Sequence, residues 1–301
     1  MTRHLRSLWF YPLFQIPMMF LAACLVAAAL FWVLGIGRPN VAVAIALDLS
    51  NSTYAPQAFN APGTVMEREI QAVRSYLQRN NQLGSPNQVQ IFGFGGAIRP
   101  LTNSFNTDGK QIEAELTQAL QNRDLPQQII SNTTDLNLAI QKGTEALSSI
   151  PNYCRDLLLV TDGAGNVSPP VVVNAVAQKV RLNSIIVGAE APELKLAALT
   201  TNGIYIAGAK DRLENFFTKE FFAKVNTNIK WIVLWLGAAW IALMWTLTLP
   251  LDRWIFQGLM RLEMPLAGQL SLGNALFWSV LTPILIWQIL KLLDLPFFSA
   301  C

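Results

Sequence analysis

Long uncharged stretches at both ends of the chain predict helices that cross a membrane. No Asp, Glu, Lys or Arg occurs in residues 7–37, 231–251 or 264–290. A helix rises about 1.5 Å per residue and the hydrocarbon core of a bilayer is about 30 Å thick, so about 20 apolar residues span it. We therefore expect crossings at residues 17–37, 231–251 and 274–290.

The middle of the chain alternates short apolar runs with helical patterns. This alternation is typical of a doubly wound α/β fold, in which helices cover both faces of a mostly parallel sheet. The expected strands are residues 41–47, 88–94, 156–161, 184–187 and 204–207. The expected helices are residues 66–77, 112–120, 134–146, one from about residue 170, and 210–225. The chain then divides into an N-terminal segment with the first span (1–38), the α/β domain (39–227), the second span (228–252), a short loop (253–273) and the third span with the C-terminus (274–301).

Composition and charge narrow the classes of function. Charged residues make up 14% of the chain, against roughly 25% in an ordinary soluble domain, which excludes a wholly soluble or a disordered protein. Residues 39–228 carry 15 Lys and Arg against 16 Asp and Glu, so we expect no nucleic-acid partner. The single histidine, His4, precedes the first span. This position excludes His-ligated metals and Ser-His or Cys-His catalysis in the domain.

Oxygen-bearing side chains cluster where loops follow the predicted strands. Asp48, Ser50 and Ser52 come at alternate positions directly after the first strand, and Asp162 follows the strand at 156–161. Thr134 stands just before a predicted helix. Ligands of open parallel sheets bind at the carboxyl ends of the strands, where these loops meet. Hard cations such as Mg²⁺ prefer oxygen ligands, so the five side chains suit Mg²⁺, with Mn²⁺ and Ca²⁺ as alternatives.

These motifs resemble the von Willebrand factor A domain and its metal-ion-dependent adhesion site. The resemblance covers about residues 40–225 and implies a Rossmann-like α/β fold. It implies that Ser50 and Ser52 bind the cation directly, that Thr134 binds directly or through water, and that Asp48 and Asp162 act mainly through bridging waters. An open coordination position would accept a carboxylate from a partner protein. The loop at residues 131–133 departs from the family, which often has glycines there, so Thr133 stays an alternative to Thr134.

The flanking spans resemble those of bacterial membrane-anchored members of this family, some of which are linked to MoxR-type AAA+ ATPases. We therefore expect an integral protein of a bacterial cytoplasmic membrane, in contact with the lipid bilayer. Arg3 and Arg6 precede the first span, and Arg253 and Arg261 lie between the second and third. Positive charge near short loops favours the cytoplasmic side, which puts the domain outside the cytoplasm. Basic residues also flank the spans on the domain's side, but large domains cross largely regardless of their charge.

Three functions compete at this stage. The first is a non-enzymatic, cation-dependent protein-binding module, which could serve the assembly of an envelope complex. The second is a structural subunit of a larger membrane or transport complex, in which the Trp-rich spans provide the packing surfaces. The third is a metal-dependent phosphohydrolase, which is disfavoured because the chain has no GxxxxGK[ST] phosphate loop and has Ser50 where a phosphatase would place a second Asp. Taken singly, each motif also suits an ordinary turn or helix cap.

Overall fold

The chain folds into two compact units. A computed structural model describes residues 8–51, 63–163, 165–188, 190–208 and 213–292. One unit is Pro39–Asn226, and the other combines Met1–Arg38 with Thr227–Cys301. In chain order, the helices are α1 (Pro12–Leu34), α2 (Val65–Asn80), α3 (Gly109–Leu120), α4 (Leu125–Gln128), α5 (Leu136–Ser148), α6 (Pro169–Ala177), α7 (Pro192–Thr200), α8 (Leu213–Asn215), a π-helix (Phe216–Phe221), α9 (Phe222–Val225), α10 (Ile229–Thr246), α11 (Thr248–Pro250), a second π-helix (Leu251–Leu259) and α12 (Met264–Leu292).

Six strands form one sheet in the Pro39–Asn226 unit. They are β1 (Val41–Asp48), β2 (Gln88–Phe94), β3 (Ile98–Pro100), β4 (Cys154–Thr161), β5 (Val180–Ile186) and β6 (Tyr205–Ala207). Their order across the sheet is β3-β2-β1-β4-β5-β6, and every neighbouring pair is parallel except β2 and β3. The doubly wound, mostly parallel α/β fold predicted from the sequence is confirmed.

Helices cover β1 on both sides, and all eight of its residues are buried. Alternate side chains of a strand point to opposite faces of the sheet. On one face, Ile45 and Leu47 belong to the cluster that includes α2, whereas Ala44 and Ala46 face the cluster that includes α5. Small side chains keep the second layer close, and a Cβ added at Gly143 of α5 would lie 2.6 Å from the Leu157 side chain. Both helical layers are therefore packed directly onto the central strand.

Some elements differ from the sequence prediction. Strand β5 begins at Val180, four residues earlier than expected. Arg181 and Asn183 interrupt its apolar run, but both belong to the strand because their side chains form hydrogen bonds with Asp156 of β4. The three-residue strand β3 and the helix α7 were not predicted. Helix α7 presents no long apolar stripe, since only Leu194, Ala197 and Ala198 of its nine residues are buried.

Three helices of the second unit are long and apolar enough to cross a membrane: Pro12–Leu34, Ile229–Leu259 and Met264–Leu292. All three are longer than predicted. The first begins at Pro12 rather than at residue 17, and Pro17 lies within it. Proline is tolerated there because it removes only one backbone hydrogen bond, and transmembrane helices commonly accommodate such a loss. The last begins at Met264, ten residues before the expected start.

Candidate cation site at the carboxyl edge of the sheet

The side chains predicted to bind a cation follow the two central strands of the sheet. From β1 the chain proceeds to β2 on one side, while β4 is followed by β5 on the other. Ligands of open α/β sheets bind at such a switch point, outside the carboxyl ends of the strands. Residues Leu47 and Val160 are paired across β1 and β4, so Asp48 and Thr161 end these strands side by side.

The carboxylate of Asp48 is held by hydrogen bonds from two residues, Ser50 and Thr161. Its Oδ1 accepts a hydrogen bond from the backbone N–H of Ser50 at 3.0 Å, and its Oδ2 accepts one from the hydroxyl of Thr161 at 2.6 Å. The Thr161 hydroxyl in turn accepts from the backbone N–H of Gly163 at 3.2 Å. Asp48 and Thr161 are fully buried and Ser50 nearly so. This chain of hydrogen bonds orients Asp48 and ties it to the loop that carries Asp162.

Electrostatics at this edge favour a positive ligand. Burial raises the pKa of the Asp48 carboxyl, the hydrogen bonds from Ser50 and Thr161 oppose that rise, and the negative charge of Asp162 adds to it. Two acidic groups therefore repel each other at one edge of the sheet. Each carboxylate oxygen that accepts one hydrogen bond keeps further acceptor capacity, so Asp48 remains able to face a cation or its water. The donor chemistry thus fits a hard divalent cation.

The loop before α5 is joined to the same edge. The backbone N–H of Asn51 donates to the Ser131 carbonyl at 2.6 Å, and the N–H of Asp135 donates to the Gly95 carbonyl at 2.8 Å. Asp135 also caps α5, because its side chain accepts from the N–H of Leu138 at 2.9 Å. The loop is therefore pinned to the ends of both β1 and β2.

Thr133 and Thr134 differ in the hydrogen bonds that their hydroxyl groups form. The Thr133 hydroxyl donates back to the Ile130 carbonyl at 3.4 Å, whereas Thr134 forms no hydrogen bond with another described residue. Thr134 also lies beside the loop after β4, since a Cβ added at Gly165 would be 3.9 Å from the Thr134 carbonyl oxygen. Thr134 is half-buried.

Asp48 ends β1, Ser50 and Asp162 follow β1 and β4, and Thr134 lies in the loop that is hydrogen-bonded to the segments after β1 and β2. The fifth predicted residue, Ser52, lies outside the described residues. Within the described part of the chain, no three His, Cys, Asp or Glu side chains lie close enough to share one metal ion. A cation here would depend on hydroxyl and water oxygens in addition to carboxylates. Sequence reasoning missed Thr161, although it stands directly before Asp162 and its hydroxyl holds Asp48 in place.

The match to a known family agrees with this fold. Residues 43–164, about two fifths of the chain, match the family model described as the von Willebrand factor type A domain. That segment runs from β1 to just beyond β4 and so includes both strands that carry the candidate site. The Pro39–Asn226 unit has an α/β fold of the von Willebrand factor A type.

Solved structures with a similar fold are distant in sequence. An aerotolerance-related membrane protein from Bacteroides fragilis is 17% identical, with 62% of this chain and 98% of that one covered and a TM-score of 0.46. BatB from Bacteroides thetaiotaomicron is 16% identical, with the same coverage and a TM-score of 0.47. Proximal thread matrix protein 1 from the mussel byssus, solved with zinc in its MIDAS motif, is 13% identical, with 62% and 48% covered and a TM-score of 0.45. No curated protein matches the chain.

Proposed function

We propose that this protein is a membrane-anchored module that binds a divalent cation and, through it, a carboxylate of a partner protein. The cation would be held by Asp48, Ser50, Ser52, Thr134 and Asp162. The observation that carries the proposal is the buried Asp48, hydrogen-bonded by Ser50 and Thr161 and influenced by the charge of Asp162, at the switch point of the sheet. Mg²⁺ is the cation we favour, because hydroxyls, carboxylates and water are the ligands it prefers.

The residues have separate tasks in this proposal. Asp48 acts from a fixed position, because its two oxygens are already oriented by Ser50 and Thr161. Hydroxyl oxygens are neutral ligands, so Ser50 and Thr134 would bind the ion without cancelling its charge. An open coordination position on the ion would then accept a carboxylate oxygen of the partner. We propose no catalytic residue.

Thermal unfolding of the full chain in mild detergent tests the cation site. A ligand at a hundred times its dissociation constant stabilises the folded state by about 2.7 kcal/mol. We expect Mg²⁺ to raise the melting temperature of the α/β domain in the wild type, and Asp48→Ala and Asp162→Ala to abolish the increase. Asp124→Ala is the matched control, since Asp124 is exposed and its side chain does not cap its helix. An increase that persists in both site variants would reject the ligands.

Membrane anchoring through the three apolar helices completes the proposal. The domain would face the outside of a bacterial cytoplasmic membrane, as the N-terminal arginines predict. Protease added to intact spheroplasts should then remove the domain. Protection until lysis would contradict this orientation. A MoxR-type ATPase partner stays a proposal that depends on the resemblance alone.

A second candidate, a structural subunit of a membrane complex, is favoured by the packing of the second unit. A Cβ added at Gly237 of α10 would lie 2.2 Å from the Ile286 side chain, so α10 and α12 approach closely. Large apolar side chains such as Phe277, Val280 and Trp287 stay exposed on α12. Co-purification in mild detergent separates the candidates. A partner released by a chelator supports the cation-dependent module, and one that survives the chelator supports the subunit.

A further inference from the structure

A buried glutamate, Glu69, lies on α2 and is not among the residues assigned to the cation site. It belongs to the second turn of α2 and is fully buried on the face that includes Met66 and Ile70. This face packs in the same cluster as Leu47 and Leu49, which flank Asp48 in sequence. Because α2 connects the parallel strands β1 and β2, its first turns lie near the carboxyl edge of the sheet.

Neither carboxyl oxygen of Glu69 has a hydrogen-bond partner in the described structure. The adjoining segment, residues 52–62, contains no Lys, Arg or His that could supply a counter-charge. Farther along α2, Arg74 pairs with Glu113 of α3 at 3.3 Å, and Ser75 donates to Glu214 of α8 at 2.8 Å. A buried carboxyl without a partner costs stability, whereas an apolar side chain of similar size would not.

The charges that act on Glu69 are those of the candidate site. Burial raises its pKa well above the ordinary value, and the negative charges of Asp48 and then Asp162 raise it further. The carboxyl groups of Glu69 on α2, Asp48 on β1 and Asp162 after β4 are thus coupled electrostatically. They do not lie close enough together to bind one ion jointly as direct ligands. Any effect of Glu69 on a cation is therefore electrostatic or exerted through water.

We propose that Glu69 is a third acidic group of the cation site, which raises the affinity of the site for a divalent cation without being a ligand. This inference rests on the cation site of the proposed function. Charge interactions are strong in a buried environment because little water screens them. A cation bound beside Asp48 and Asp162 would supply the positive charge that the Glu69 carboxylate lacks.

The test compares Mg²⁺-dependent thermal stabilisation of the full chain in wild type, Glu69→Gln and Glu69→Leu. Both variants should raise the Mg²⁺ concentration for half-maximal stabilisation at least tenfold. Without Mg²⁺, both should be as stable as the wild type or more so, because an unpartnered buried acid has been removed. Glu113→Gln, which changes a partly exposed acid on α3, should leave the Mg²⁺ dependence unchanged.

A pH profile gives a readout that a merely structural side chain would not alter. Protons compete with the cation for Glu69, so the apparent Mg²⁺ affinity of the wild type should increase with pH, by up to tenfold per unit for one linked proton. The increase should be smaller in Glu69→Gln. An unchanged half-maximal concentration in both variants, with normal stabilisation of the wild type, would overturn this inference alone. No Mg²⁺ effect in the wild type would overturn the cation site as well. Failure of both variants to fold would assign Glu69 to the fold and also overturn the inference.

Discussion

The hydroxyl of Thr161, which sequence reasoning missed, is one of the groups that hold Asp48 in position. Replacing Thr161 by Val keeps the shape of the side chain and removes the donor that lies 2.6 Å from Oδ2 of Asp48. Both residues are fully buried, so water cannot replace the lost donor. The substitution therefore removes the hydrogen bond from Thr161 to Oδ2 of Asp48. It also removes the acceptor of the Gly163 N–H.

The expected cost follows from these contacts. A hydrogen bond to a charged group contributes about 1.5–3 kcal/mol, and a buried acceptor left unsatisfied carries the full penalty. For a domain of 150–250 residues, each kcal/mol shifts the melting temperature by about 2–4 °C. Thr161→Val should thus lower the melting temperature by about 3–12 °C. It should also weaken Mg²⁺ binding, because Asp48 gains freedom to turn away from the site.

Thr144→Val is the matched control for this prediction. Thr144 is a buried threonine of α5 whose hydroxyl has no hydrogen-bond partner in the described structure, so its replacement should be neutral or stabilising. Unfolding must be followed by tyrosine signals or by hydrogen exchange, because all nine tryptophans lie outside residues 39–226. Equal effects of the two substitutions on stability and Mg²⁺ dependence would refute the role assigned to Thr161.

Three further predictions concern the fold, the site loop and pH. Arg181→Leu removes the ion-pair partner of the buried Asp156, 2.5 Å away, and leaves it the hydrogen bond from Asn183. This change should cost about 3–5 kcal/mol in thermal unfolding without changing the Mg²⁺ concentration for half-maximal stabilisation. Gly188→Ala would place a Cβ 2.9 Å from the Asp162 carbonyl oxygen and should weaken Mg²⁺ binding, as measured by the same titration; an unchanged half-maximal concentration would show that the Asp162 loop does not need its present position. The raised pKa values of Asp48 and Glu69 mean that the folded state holds protons more tightly than the unfolded state. The cation-free domain should therefore become less stable as the pH rises towards neutral. This loss of stability with pH should be smaller in Glu69→Gln.

The parts of the fold that the sequence predicted are those determined by continuous burial. Strands β1 and β4 are buried along almost their whole length and therefore appear as apolar runs. The start of β5 was hidden because Arg181 and Asn183 are polar. Both donate to Asp156, a contact between neighbouring strands that no local pattern reveals. Tertiary partners, rather than propensity, decide where that strand begins.

The same distinction applies to the site. Asp48 and Asp162 were predicted because each directly follows an apolar strand, which places both at one edge by topology alone. Glu69 was missed because a glutamate beside Glu67 and Arg68 suggests a solvated helix face. Its position three residues after Met66 and four before Val73 was a signal, since that spacing puts it on the buried stripe of α2. A charged residue on an apolar stripe was therefore the feature that called for a functional explanation.

Cation binding and folding should be coupled in this domain. Asp48 and Glu69 are held in the interior by the elements that form the core, β1 and α2, so their charges cannot move apart without local unfolding. Thr134 and Asp162 lie on loops, which rearrange at lower cost than strands or helices. A cation would relieve repulsion that the core cannot relieve, and it would order the loops in the same step. The stabilisation produced by Mg²⁺ should thus be lost when Asp162 is replaced by Ala. Glu69→Leu, in contrast, should make the cation-free domain more stable than the cation-free wild type. The two effects together distinguish a cation site from a set of ordinary turns.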